Sequence, residues 1–350
     1  MRCAATLVCA ALVASGCSHE NRWVKGSEST ELGPIVGSPT LPELYLADLG
    51  TQQLAVIDSR REEVVARYTV AGRIGDLAVN LDGSLVGVAA GSVIGILNTR
   101  SRRYSEHRLP FGLSGSVVSI AFHASNALFV AVNENPPGIS PSTRVFVLGP
   151  LMTTVLTSFG EPTGIHSYYF PLLRTDNSGT HLYIGERGLS GLSLLFHWNV
   201  ENAAAPVFVS RQRDSDLNFL KDMAVSTDSA HLFVASFSPD GLQAYLTPAL
   251  STMNLWPAEP DAVAVAVSAK RRTVFLAPAY PPSDLLYEFD DRRGEIVAKY
   301  TLRDDKTEFA ETSERGVALA DTKKVFVVYG RPPLDESCKE RVKVVDLVRH

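Results

Sequence analysis

Short apolar runs alternate with polar turns along most of the chain, and one apolar phrase recurs seven times. The copies are Leu44-Tyr-Leu-Ala, Leu85-Val-Gly-Val, Leu128-Phe-Val-Ala, Leu182-Tyr-Ile-Gly, Leu232-Phe-Val-Ala, Val274-Phe-Leu-Ala and Val325-Phe-Val-Val. Successive copies are 41, 43, 54, 50, 42 and 51 residues apart. A repeat of this length with strand chemistry in every copy predicts a radial array of small sheets. The expected fold is all-β: a seven-bladed β-propeller of four-stranded antiparallel blades.

The stretch after Gly72 shows the unit best. Asp76-Leu-Ala-Val-Asn80 reads as the innermost strand, and Leu81-Asp-Gly-Ser84 as a turn with an Asp-Gly hairpin signal. Leu85–Ala89, Val93–Leu97 and Tyr104–Leu109 read as the second, third and outer strands. Inner strands are nearly continuous apolar runs, as expected where neighbouring blades cover both faces, whereas outer strands mix in charge where an edge meets water. The inner strand recurs as Val118–Phe122, Asp222–Ser226, Ala262–Val267 and Gly316–Ala320, rich in small residues that suit a crowded centre. A looser copy, Tyr168-Tyr-Phe-Pro171, opens the fourth blade. No long segment of helical period competes.

The register also suggests how the ring closes. Asp76 lies nine residues before Leu85, and nine before Leu44 is Ile35, so Gly33–Gly37 is a candidate first strand for blade one. Arg22-Trp-Val-Lys25 is then a candidate outer strand for blade seven, a clasp that hides an open sheet edge.

Leu44 to Gly91 reads LYLADLGTQQLAVIDSRREEVVARYTVAGRIGDLAVNLDGSLVGVAAG. This resembles the YVTN-type propeller repeat, and Leu54-Ala-Val-Ile-Asp58 is similar to that family's third strand. Arg341-Val-Lys-Val-Val-Asp346 repeats it near the other end. The resemblance covers blades one, two and seven, and the middle blades only in their inner strands. Pro-rich insertions interrupt blades three, four and six. The resemblance extends to lactonase-like and surface-layer propellers, so it implies either a binding platform or a lactone-opening hydrolase. WD and kelch signatures are absent, as is the Trp-bearing docking repeat of quinone-dependent dehydrogenases.

The N-terminus carries an address. Residues 1–16 resemble a bacterial lipoprotein signal peptide: one charge at Arg2, an apolar run from Cys3 to Ala14, then Ser15-Gly16-Cys17. The apolar run is shorter than the ~20 residues a membrane-spanning helix needs. Cys17 is the expected lipidation site, with a plain secretory signal as the alternative. Ser18 is not acidic, which favours the outer membrane over the inner. The expected organisation is a signal at 1–16, a lipidated N-terminus and tether at 17–40 (part of which can close the ring), and the propeller at 41–350. With Cys3 and Cys9 removed and Cys17 acylated, Cys338 stands alone, so the mature chain can form no internal disulfide.

Charge narrows the partners. The chain holds 33 basic and 38 acidic residues, net −5, and loss of Arg2 makes it more acidic. That argues against nucleic acid, which asks for a basic face. The basic clusters Arg100–Arg103, Lys270–Arg272 and Arg292-Arg293 and the acidic stretch Asp304–Glu314 read as solvated turns and loops. The expected partners are the membrane, through the lipid on Cys17, and an envelope protein or glycan.

Propellers gather loops from the starts of inner strands and the ends of second strands on one face. Here that face collects Arg73, Asp76, Glu134, Asn135, His166, Tyr168, Glu186, Arg187, Lys221, Asp222, Asp240, Asp261, Tyr280 and Arg315. Of these, Arg73, Glu134, His166, Tyr168, Glu186, Arg187, Lys221, Asp240, Tyr280 and Arg315 are the candidates for ligand or partner binding. Asp76 and Asp222 read instead as repeat-demanded residues bonding backbone amides within their own blades. His166, Glu186 and Arg187 are the candidate catalytic groups should the chain be a hydrolase. No cofactor and no metal are expected: the eight histidines show no ligand spacing, and there is no P-loop, dinucleotide fingerprint or nucleophile elbow. A binding module is the first reading, and a lactonase-like hydrolase the second.

Overall fold

The computed structural model describes residues 22–110, 115–134, 142–162, 167–187, 192–238, 241–256, 261–268, 270–279, 285–302, 311–319, 323–330 and 339–347. Cys17, Asn135, His166, Asp240, Tyr280 and Cys338 lie outside these residues. The chain is all-β and forms seven four-stranded antiparallel blades arranged as a β-propeller. Blade two is typical, with Ile74–Val79 innermost, then Leu85–Ala90, Val93–Asn98 and Arg103–Arg108. Blades four and five share one continuous strand, Val207–Val225. Its first part is the outer strand of blade four and its second the inner strand of blade five.

The repeated phrase explains the packing. Its aromatic position places Tyr45, Phe129, Tyr183, Phe233, Phe275 and Phe326 in second strands, all essentially without solvent contact. Among the described residues the apolar side chains form seven clusters, each filling the gap between two consecutive blades, including the last and the first. The core is therefore a ring. Where the phrase departs from its pattern, the neighbour compensates. At Gly87 an added Cβ would meet Ile120 at 2.9 Å and Phe122 at 3.2 Å, so blade three's bulk occupies the space that blade two leaves.

Closure uses the N-terminus. Leu32–Gly37 is the inner strand of blade one, and Arg22–Trp23 pairs with Glu340–Asp346 as the outer strand of blade seven. Val24 N donates to the Val342 carbonyl at 2.8 Å, and Val342 N to Ser27 Oγ at 3.0 Å. Lys25 then bridges to blade one, where its N–H reaches the Glu62 carbonyl at 2.8 Å and its carbonyl accepts from Val64 N at 2.9 Å. The Arg22 guanidinium pairs with Glu62 of blade one and, at 2.5 Å, with Asp346 of blade seven.

Candidate functional site

A local irregularity positions the centre of the ring. The inner strands of blades one, two, three, five, six and seven each carry a register shift near their first residues. Such a bulge turns the next side chain out of the regular alternation. In blades two, three and five it aims Asp76, Ser119 and Asp222 at the next blade. Ser119 Oγ donates to Asp76 Oδ2 at 2.5 Å, Leu173 N to Ser119 Oγ at 2.9 Å, and Val265 N to Asp222 Oδ2 at 3.1 Å. The two aspartates thus join neighbouring blades, which corrects the expectation that they serve only their own. Asp222 also accepts its own blade's Met223 N, at 2.9 Å.

These aspartates hold two arginines across the axis. Arg174 Nη1 lies 3.3 Å from Asp76 Oδ2 and its Nη2 3.2 Å from Asp222 Oδ1, while Arg315 Nη1 donates to Asp76 Oδ1 at 2.9 Å. Asp76 is fully buried, and burial alone would raise its pKa. The guanidiniums of Arg174 and Arg315 and the Ser119 hydroxyl outweigh that and hold the carboxyl below its ordinary range. Asp222 has Arg174 as its one paired guanidinium, and there burial leaves the carboxyl raised. Arg315 sits at φ +57°, an uncommon backbone for a residue with a side chain, and its Nε is buried without a hydrogen-bond partner.

This network separates two cavities. On one side lies a funnel of about 830 Å³, bordered by residues including Arg73, Arg187, Lys221, Arg315, Glu31, Glu314 and Glu340, with Phe170, Phe237 and Val263 among its apolar walls. On the other lies a space of about 250 Å³ bordered by Arg174, Asp222 and Arg315, with apolar inner-strand residues such as Val317 and Ala318. Arg73 pairs with Glu31 at 2.8 Å and Lys221 with Glu314 at 2.5 Å. Lys221 Nζ also sits 4.3 Å from the centre of the Phe237 ring. Glu340 accepts from the Leu32 amide and from Ser313 Oγ.

Arg187 is the exception among these charges. Its Nε donates to the Phe170 carbonyl at 3.3 Å, but among the described residues its nearest ion-pair carboxylate, Glu314, is 3.9 Å from Nη1. Burial pushes its pKa down to about 10, and the nearby Arg315 adds to the shift. The group still carries its charge at neutral pH.

The sequence-derived candidates scatter accordingly. Arg73, Arg187, Lys221 and Arg315 converge on the funnel. Glu134 is exposed. Glu186 is buried just behind Arg187, accepting from Tyr169 N at 3.0 Å; burial, with Glu161 nearby, pushes its pKa up to about 7. Tyr168 is fully buried between blades three and four, accepting from Trp198 Nε1 at 3.1 Å and donating to the Gly160 carbonyl at 3.2 Å. The Asp261 carbonyl accepts from Ala279 N at 2.7 Å. Glu31, Glu314 and Glu340 are funnel residues that sequence reasoning did not select. Glu31 precedes its inner strand as Arg73 does, so register could have found it. Glu314, read from sequence as part of a solvated acidic loop, lies instead in the inner strand Glu311–Leu319. Among the described residues no three His, Cys, Asp or Glu side chains converge as a metal-ligand set.

No protein-family model matches this sequence, and no curated protein matches it. Among solved structures, a chain of Kuenenia stuttgartiensis hydrazine synthase is similar, with a TM-score of 0.68 and 14% identity. The match covers 91% of this chain and 97% of that one. At that identity the likeness speaks for the fold alone.

Proposed function

We propose that this chain is an envelope-anchored lipoprotein that binds a ligand or a partner protein at the mouth of its propeller. The funnel carries the reading. It is concave, of a size typical of ligand sites, and lined by apolar walls with a few convergent charges. The network of Asp76, Asp222, Arg174 and Arg315 adjoins it. The Ser15-Gly16-Cys17 ending supports the anchor, and the repeat chemistry of blades one, two and seven supports a YVTN-type platform.

Two experiments test this. Cys17→Ser should move the protein from the membrane to the soluble fraction, and continued pelleting with membranes would remove the anchor from the proposal. Crosslinking of tagged full-length protein in native envelopes should capture a recurrent partner or ligand. A blank across crosslinkers of different reach would count against the binding reading.

One observation favours a second reading, a lactonase-like hydrolase. Glu186 sits next in sequence to the funnel's Arg187, and its carboxyl, pushed up to about 7 by burial, is matched to acid–base work near neutrality. Turnover on a lactone panel that is lost in Glu186→Gln would establish it, and absence of turnover would dismiss it.

A further inference from the structure

We propose that the funnel recognises its ligand through an oxyanion, a carboxylate or a phosphate, seated on the guanidinium of Arg187 with Lys221 and Arg315 alongside. The inference rests on the mouth being a binding site and names the chemistry of what enters it.

Most charges around the funnel already have a partner. Arg73 has Glu31, Lys221 has Glu314, and Arg315 and Arg174 have Asp76 and Asp222. Glu340 is engaged by the Leu32 amide and by Ser313. The Arg187 side chain is half-buried, yet among the described residues its one side-chain hydrogen bond is from Nε to a carbonyl, which leaves Nη1 and Nη2 without a hydrogen-bonded protein acceptor there. The charges lining the funnel are Arg73, Arg187, Lys221 and Arg315 against Glu31, Glu314 and Glu340, so it carries one more cation than anion. A half-buried guanidinium held without a hydrogen-bonded carboxylate is only partly compensated for its desolvation. It is also a prepared seat for a planar oxyanion, which a guanidinium grips through two parallel N–H bonds. The walls fit the remainder of such a ligand. Phe170 borders the funnel beside Arg187, whose Nε bonds its carbonyl, and Phe237 lies under the Lys221 ammonium. The ligand class is therefore a small molecule or chain end with an anionic head and an apolar body.

The mature full-length protein is titrated calorimetrically at fixed ionic strength with phenylacetate, phenyl phosphate, inorganic phosphate and benzyl alcohol. At least one of the anions should bind, and benzyl alcohol, which has the apolar body without the charge, should not. Phenylacetate against phenyl phosphate decides between carboxylate and phosphate, and inorganic phosphate against phenyl phosphate reports whether the apolar wall contributes. Arg187→Met should weaken binding at least about tenfold, as expected for loss of a charge-assisted contact, and Arg187→Lys should restore part of it. Arg61→Ala, on an exposed arginine of blade one, should bind as the parent does.

A second readout separates binding from a structural role. Arg187→Met should melt no lower than the parent, because it removes a half-buried cation that lacks a hydrogen-bonded anion. Anion binding that survives Arg187→Met unchanged, or no anion binding at all, would overturn the inference. So would a fall in melting temperature that explains the lost binding. If an envelope partner is captured equally by the parent and by Arg187→Met, the binding reading stands and the oxyanion inference alone fails.

Discussion

Asp76→Asn is the sharpest test of the network beneath the funnel. The substitution keeps the side chain's size and one acceptor oxygen but removes its charge. Asp76 has no solvent contact and receives Arg315 at 2.9 Å, Arg174 at 3.3 Å and Ser119 at 2.5 Å. The arginines lose unequally. Arg174 keeps Asp222 at 3.2 Å and the carbonyls of Leu173 and Met223. Arg315 loses its one carboxylate, and its Nε is already unpartnered. Two unit charges about 4 Å apart interact by about 4 kcal/mol at an effective dielectric constant of 20. Breaking one side of a buried pair costs about 3–5 kcal/mol, so the expected loss is about 4 kcal/mol. With about 2.1 cal/mol/K of unfolding entropy per residue over roughly 330 residues, this lowers the midpoint by about 6 °C. Calorimetry and urea unfolding measure it. Asp76→Asn with Arg315→Met should recover part of the loss, because the stranded cation is gone. The parent's stability should fall steeply as pH drops below the ordinary carboxyl range, since a depressed pKa adds stability above the unfolded value and loses it on protonation. That acid limb should flatten in Asp76→Asn. A variant melting within 1 °C of the parent, or a double variant showing the simple sum of two losses, would refute the reasoning.

Other positions make independent predictions. His197 is buried, donates from Nδ1 to the Pro248 carbonyl at 2.8 Å and has His181 Nδ1 2.9 Å from its Nε2. Burial pushes its pKa down to about 4. The unfolded chain therefore takes up the proton first, and about 3 kcal/mol should be lost as pH falls from 6.5 to 4, a slope that His197→Gln should flatten in acid-melting curves. Gly87→Ala drives a Cβ to within 2.9 Å of Ile120, and chemical denaturation should report a loss of about 1–3 kcal/mol. Deleting residues 22–25 removes the buried Val24 and the backbone bonds to blades seven and one. Melting should fall by several degrees, and light scattering should reveal concentration-dependent association through the bared edge. An unchanged monomer would show that the edge is protected in some other way.

The parts of this architecture that depend on spacing alone were legible in the sequence. Seven copies of one strand phrase gave the blades; counting back from Leu44 put the inner strand at Gly33–Gly37, within the observed Leu32–Gly37, and put a clasp at Arg22–Lys25, of which Arg22–Trp23 pairs as a strand. The site was half legible for the same reason. Arg73, Arg187, Lys221 and Arg315 occupy repeat positions that every propeller turns toward its mouth. What stayed hidden depends on bulges and hooks that sequence period does not encode. Asp76 and Asp222 reach across to the next blade because a register shift turns them. Tyr168-Tyr-Phe-Pro171 looked like blade four's inner strand, but that strand is Pro171–Thr175, and Tyr168 precedes it, its N–H hooked onto the Thr143 carbonyl at 2.7 Å and its ring in the core. Glu314 sits in a charged run that resembles solvated loop, and only the position of blade seven's inner strand turns it toward Lys221.

The clasp also bears on which way the ring faces. Within the third strand of blade seven, Glu340 lies at the funnel and Asp346 at the opposite end. Arg22 ion-pairs with Asp346, and the chain then climbs to Ser29, which pairs with Glu340, and on to Glu31 at the rim. The polypeptide thus enters the ring from the base. Cys17 is five residues before Arg22, a span of at most about 18 Å. With the proposed lipid on Cys17, the base is held toward the bilayer and the funnel opens on the aqueous side. A ligand then reaches Arg187 without meeting the headgroups.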